Sequence, residues 1–339
     1  MDQIQNEPKK SYCWVWIIII AVILVGGYFI YQNNFVKKES PKETTSETNS
    51  TPRETKTLAE SWQRNSEIVF DNITSTDTHK ISDNLFRMYM NKEGNIVYAE
   101  STDGKTWGNT QNTGISEDAG KFISNPAVLK VADGNWIMLY EQQPQQKKGQ
   151  TPGQSSAVNQ RNLYLATSLD GKTFTKAGIA IDSSVADNYF ASVPDLILLP
   201  DGKIRVYYVC GGESICSQVS ADNGKTWAKE SGVRLAEMAV DPDVKTKTEN
   251  GKTKWIMYYS ILDPQKNGLY KAVSSDGLTW TKLGGQVVEK TGNNAIVDPD
   301  VVEISPNNFV MYFGESSGAS SVGGDQINLY GASYNGNIF

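Results

Sequence analysis

The sequence predicts an all-β fold, a five-bladed β-propeller of four-stranded antiparallel blades preceded by one transmembrane helix. Three observations predict it. A short turn motif built on Ser, Asp, Gly, Thr and an aromatic recurs along the chain, an apolar strand pair recurs before it, and a segment near the N-terminus is apolar and uncharged.

Taken in order, residues 1–11 form a short tail. Residues 12–31, "YCWVWIIIIAVILVGGYFIY", carry no charge and match the ~20 residues a helix needs to cross a bilayer, with Tyr and Trp at the ends where headgroups lie. The run exceeds the ~7–15 apolar residues of a signal-peptide core, and no A-x-A site follows it. Lys9 and Lys10 precede it while Lys37 and Lys38 follow it, so positive charge does not set its orientation. Residues 32–63 form a tether, whose core at 37–60 is Ser, Thr, Lys, Glu and Pro with almost nothing to bury. Residues 64–339 form the propeller. Within it Cys210 and Cys216 flank the turn of "RVYYVCGGESICSQV", where a cross-strand disulfide and two buried thiols are both open readings. A disulfide would suit an oxidising compartment, and with the tether it places the propeller outside the cytoplasm, at the cell membrane.

Each blade reads as strand, turn, strand, loop, strand, Asp-Gly turn, strand. The first two strands run from Ser75 ("STDTHKISDNLFRMYM"), Asn125 ("NPAVLKVADGNWIMLY"), Val193 ("VPDLILLPDGKIRVYY"), Asp241 ("DPDVKTKTENGKTKWIMYY") and Asp298 ("DPDVVEISPNNFVMYF"). The third strands are "NIVYAES", "NLYLATS", "SICSQVS", "GLYKAVS" and "INLYGAS". The fifth blade stops at its turn, whereas the apolar "NSEIVFDN" at 65–72 has no blade of its own. It is expected to complete the fifth blade and so remove an open sheet edge.

The turn motif stands as "STDGKTW", "SLDGKTF", "SADNGKTW" and "SSDGLTW", carrying Asp103, Asp170, Asp222 and Asp276, with a worn copy, "SYNGNIF", at the end. Because strands alternate in direction, these three-to-four turns share one face, and the two-to-three loops and blade-to-blade connections share the other. A feature needed in every blade is most simply scaffolding: Asp and Ser bond the turn backbone, and Gly takes a positive φ.

Chemistry is expected on the opposite face, where the innermost strands begin. After the Pro position the blades carry Asp77, Ala127, Asp195, Asp243 and Asp300, and the four acids are expected to cap their own turns. Before it they carry Ser75, Asn125, Val193, Asp241 and Asp298, a set that differs blade by blade and suits ligand work better. The two-to-three loops add Glu141, Glu213, Asp263 and Glu315. A net charge of -6 and a pI near 5.1 argue against a nucleic-acid partner. Carboxylates beside aromatics suit an oligo- or polysaccharide, either hydrolysed by an acid and a base or simply bound. No cofactor and no metal set is expected, and the protein is read as a monomer. His79 is read as structural.

The turns resemble the Asp boxes (BNR repeats) of sialidases. The blades with "VDPDV" and "WIMYYS" are similar to the five-bladed glycoside hydrolase superfamily of arabinanases, invertases and levansucrases, families 43 and 32. That resemblance implies a base or nucleophile Asp at the first blade, a second Asp that tunes it, and a Glu acid from a middle blade. Carried onto this chain it implies Asp241, Asp298 and Glu213 as catalytic, while position around the funnel offers Asp77, Asn125, Glu141, Asp195, Asp243, Asp300 and Glu315 as substrate-binding residues. The first blade offers Ser75-Thr76-Asp77, and no "NDPNG" is present. Sialidase activity itself fits less well, since it implies six blades and three arginines clamping a carboxylate, whereas Arg87 and Arg205 occupy equivalent second-strand positions here, beside Arg161 and Arg234.

Overall fold

The computed structural model describes residues 60–145, 160–183, 187–316 and 327–339. The expected membrane helix at 12–31, and the tether as far as residue 59, lie outside the described residues.

Strand β1 (Gln63–Arg64) is followed by blade one: β2 (Asp77–Ser82), β3 (Leu85–Lys92), β4 (Asn95–Ser101) and β5 (Gln111–Ser116). Blade two is β6 (Lys121–Lys130), β7 (Trp136–Pro144), β8 (Asn162–Ser168) and β9 (Thr175–Ile181). Blade three is β10 (Ala191–Leu198), β11 (Ile204–Cys210), β12 (Ser214–Ser220) and the two-residue β13 (Ala228–Lys229). Blade four is β14 (Ala239–Glu249), β15 (Lys252–Ile261), β16 (Leu269–Ser274) and β17 (Thr281–Lys282). Blade five is β18 (Ile296–Ser305), β19 (Asn308–Ser316) and β20 (Ile327–Asn335), completed by β1. Every sheet is antiparallel and four-stranded, as the repeats require.

The ring closes with a chain from the N-terminal side, but the closing strand lies earlier than 65–72. Gln63 and Arg64 pair with Ser333 and Ala332, and Phe70 bridges Leu329 further along. Residues 60–63, assigned by composition to the tether, belong to the packed fold. Trp62 is buried, edge-on to Tyr258, and Glu60 accepts hydrogen bonds from Tyr258 Oη at 2.9 Å and from Lys271. A lone apolar Trp in a polar stretch was the available sign.

Second strands are apolar on both faces because a propeller blade is packed on both sides. Phe86, Met88 and Met90 of β3 face blade five, while Tyr89 between them faces blade two. Likewise Ile137 and Leu139 of β7 face blade three, and Trp136, Met138 and Tyr140 face blade one. The period of two therefore feeds separate clusters between neighbouring blades.

The Asp-Gly turns are fastened as their residues suggest. In blade one Ser101 Oγ donates to Asp103 Oδ1 (2.8 Å) and accepts Gly104 N–H (2.9 Å), while Asp103 accepts the N–H groups of Lys105 and Thr106 at 2.8 and 2.7 Å. Asp170, Asp222 and Asp276 repeat the pattern. Bonding to Thr106 backbone first, and to Lys105 and Ser101, pulls the Asp103 carboxyl down to about 2, and Asp222 and Asp276 are lowered equally by their turns. Tyrosines of the preceding blade then bolt onto the turns. Tyr89 Oη donates to Gly171 O at 2.5 Å, Tyr207 Oη to Gly277 O at 2.7 Å, and Tyr312 Oη to Gly104 O.

Candidate active site at the mouth of the propeller

The innermost strands β2, β6, β10, β14 and β18 begin around the central channel, and the five residues before the Pro position share one unusual backbone. Ser75, Asn125, Val193, Asp241 and Asp298 all have positive φ, at 55°, 52°, 43°, 54° and 53°. In blades two to five the strand register slips at this residue, so it sits on a bulge. A left-handed residue is costly for any side chain with a Cβ, and more so for β-branched Val193. The blades accept that cost at the same place, where these side chains surround the mouth; such strain recurs at ligand sites. With their neighbours they line a small cavity of ≈ 30 Å³, enough to admit water.

Asp241 and Asp298 meet there from blades four and five. Asp298 N–H donates to Asp241 Oδ2 at 3.4 Å and to Ser260 Oγ at 3.2 Å, and Asp298 Oδ2 accepts from Ser75 Oγ at 2.8 Å and from Thr74 Oγ1. Burial first, then the Asp298 charge, raises the Asp241 carboxyl well above the usual range. Burial also raises Asp298, while the hydroxyls of Thr74 and Ser75 pull it back. The two are joined by a hydrogen bond between their carboxyls, which raises Asp241 and lowers Asp298.

The acids after the Pro position have another task. They do not cap their own turns: each reaches the backbone of the next blade. Asp300 accepts Thr78 N–H at 3.2 Å, Asp195 accepts Val244 N–H at 2.8 Å, Asp243 accepts Val301 N–H at 3.2 Å, and Asp77 accepts Val128 N–H. Ala127 stands at this position in blade two. Among the described residues no side chain takes the equivalent Leu196 N–H. Lys245 Nζ lies 2.6 Å from Asp243, and its charge acts to lower Asp195, Asp243 and Asp300. Burial nevertheless pushes Asp195 up to about 7 and raises Asp243 and Asp300. His79 Nε2 lies 2.9 Å from Asp77 Oδ2, edge-on to Tyr89 and Trp136. Asp77 outweighs the lowering effect of burial, and the imidazole is a satisfied structural group.

Glu141 and Glu315 are strand residues, in β7 and β19, and are buried rather than carried on loops. Glu141 accepts from Asn125 Nδ2 at 2.7 Å, from Ser192 of the next blade, and from Arg161 Nη1 at 3.2 Å. Glu315 accepts from Thr291 N–H at 2.7 Å and from Arg64, whose guanidinium stacks on Tyr330 at 4.8 Å and Phe313 at 5.2 Å. Arg64 was missed in the sequence because β1 has no strand pattern of its own. Glu213 is exposed at the tip of the β11–β12 hairpin, on the mouth face, and among the described residues makes no hydrogen bond to the Asp pair; Asp263 lies on the β15–β16 loop, accepting Gln265 N–H at 2.9 Å. The hairpin is tied by the Cys210–Cys216 disulfide, with Cα atoms 5.8 Å apart. Arg87 and Arg205 are buried and donate to backbone carbonyls of the neighbouring turns, which is blade packing.

No protein-family model matches this sequence, and no curated protein matches it. Solved structures share its architecture. A glycoside hydrolase aligns over 83% of this chain and 92% of its own, at 15% identity and a TM-score of 0.59. The α-L-arabinofuranosidase of Podospora anserina, solved with cellotriose, covers 81% and 97% at 11% identity and 0.57. The endo-arabinase of Bacteroides thetaiotaomicron covers 80% and 96% at 13% identity and 0.53. The chain thus has the five-bladed propeller fold that these glycoside hydrolases share.

Proposed function

We propose that this protein is a membrane-anchored, extracytoplasmic propeller that binds carbohydrate at its mouth and hydrolyses glycosidic bonds there. The observation that carries the reading is the Asp241–Asp298 pair, two hydrogen-bonded carboxyls held on left-handed bulges, with Asp241 raised by burial and by its neighbour. Cleavage needs an acid and a base on opposite sides of the bond, about 5 Å or more apart. Two hydrogen-bonded carboxyls are too close for both roles. Asp298 is assigned as base or nucleophile, Asp241 as the neighbour that tunes it, and Glu213 as the acid that protonates the leaving oxygen while water completes the hydrolysis. The disulfide supports an oxidising compartment. That the glycosidases above share the fold, and that one was solved with cellotriose, supports a sugar ligand.

A non-catalytic carbohydrate-binding role is favoured by one observation: the first blade presents Ser75, not an acid, to the mouth. Incubating the full chain with aryl glycosides and polysaccharides, beside a glycan array, separates the two. Turnover abolished by Asp298→Asn supports hydrolysis, and binding without turnover on any sugar supports the second role.

A further inference from the structure

We propose that Arg161 is a carboxylate-recognising residue at the rim of the mouth, and that the sugar bound there is acidic, an oligosaccharide carrying uronic acid. The proposal rests on the carbohydrate reading above and names its substrate class.

The backbone of Arg161 is fixed at the mouth end of blade two, its N–H donating to Tyr189 O and its carbonyl accepting Ala191 N–H, both at 3.1 Å. Its guanidinium lies 4.5 Å over the Phe190 ring, and Nη1 donates to Glu141. Glu141 is wholly buried and reaches the mouth itself, because its other oxygen binds the amide of Asn125. The guanidinium is thereby clamped on one face and one corner. Its side chain stays 25% exposed, and among the described residues Nε and Nη2 have no hydrogen-bond partner. A planar fork held this way suits a carboxylate's two oxygens, and its rotamer is already fixed before binding. Glu141 takes only Nη1, so the Nε–Nη2 edge is left to receive a second carboxylate. The other described arginines are spent: Arg87, Arg205 and Arg234 on buried carbonyls, Arg64 on Glu315 and Glu289 O. The pair Asp241 and Asp298 stands on blades four and five, so the carboxylate of an acidic sugar is drawn to Arg161 on blade two and held away from that pair.

The test uses the full chain in detergent, with uronic-acid oligosaccharides, their methyl esters and neutral oligosaccharides as probes in titration calorimetry. Wild type is expected to bind the acid form about ten- to a hundred-fold tighter than the ester, the range of a charge-assisted hydrogen bond. Arg161→Gln should erase that preference and leave ester binding unchanged, and Arg161→Lys should restore only part of it. If Arg161→Gln misfolds because Glu141 is left unpaired, the double variant Glu141→Gln/Arg161→Gln removes both charges and serves instead. An acid preference that survives these substitutions overturns the proposal. Wild type binding neutral sugars or esters as tightly as acids overturns it too, while the carbohydrate reading stands. Binding of none of the three probes overturns both.

Discussion

Asp300 of the fifth blade accepts the backbone N–H of Thr78 in the first blade at 3.2 Å and its hydroxyl at 2.6 Å. One carboxylate thus closes the ring from the channel side, while β1 closes it at the rim. Asp300→Ala is expected to lower stability by about 2 kcal/mol, the cost of leaving a buried donor unmatched. Asp300→Asn keeps one acceptor and removes a buried charge, so it should cost less at pH 8. Urea midpoints of the two variants check this; equal losses would contradict it.

The turn carboxylates predict an acid-side effect. Asp276 is held at about 2, chiefly by the Thr279 N–H and then that of Leu278. A depressed carboxyl contributes stability that is present above its unfolded value near 3.9 and is lost as pH falls through its folded value. Asp276→Ala should therefore lower stability at pH 7 by about 1 kcal/mol, at the low end because the turn is solvent-screened. The deficit should shrink between about pH 4 and pH 2, and sugar binding should be retained. Melting curves across that range, with binding measured at pH 7, decide it.

The mouth pair has the opposite sign. Asp241 is raised, so its effect on stability is most favourable below the unfolded value and is lost as pH rises through the folded one. Asp241→Asn should melt higher than wild type at pH 8, on the order of 2 °C per kcal/mol of relieved repulsion, and no higher at pH 3.5. Asp298→Asn should change melting little and abolish turnover or binding. Loss of function in folded Asp276→Ala with retention in Asp298→Asn would invert the assignment of the two faces.

Trp62 marks where the fold begins. Its burial among Tyr258, Tyr334 and Val288 predicts that Trp62→Ala costs about 3 kcal/mol. A chain starting near Ala59 should fold, and one starting after Asn72 should not, having lost both β1 and this anchor. Circular dichroism and proteolysis of the two truncations test it.

The repeat was legible because each blade buries both faces of the same strand pair, so its pattern recurs in "NWIMLY", "KWIMYY" and "NFVMYF". The five mouth positions were legible as a variable set beside a Pro-Asp step that the blades keep in whole or in part, and the structure gathers them. What the sequence hid was direction. Nothing in "DPDV" says that Asp243 reaches Val301 in the next blade instead of its own turn, because the partner is a backbone N–H with no sequence identity. Glu141 and Glu315 read as loop acids since a charge at a strand end marks a boundary, yet paired arginines let both lie inside β-structure.

The channel fastening has one gap. Four blades set an Asp opposite a Tyr across the first strand pair: Asp77 with Tyr89, Asp195 with Tyr207, Asp243 with Tyr258, Asp300 with Tyr312. Blade two sets Ala127 opposite Leu139. Between blades two and three, then, the described residues form neither the carboxylate staple nor the tyrosine bolt, and a cleft of ≈ 860 Å³ opens there, lined by Ile137 and Leu165 of blade two and by Asn223 and Lys225 of blade three. A ring under thermal agitation breathes at its weakest seam. The Leu196 amide should exchange with solvent faster than its four counterparts at Thr78, Val128, Val244 and Val301. Since Glu141 and Ser192 stitch this seam at the mouth, an occupant of that rim would be registered as slowed exchange at Leu196, far from any atom it touches.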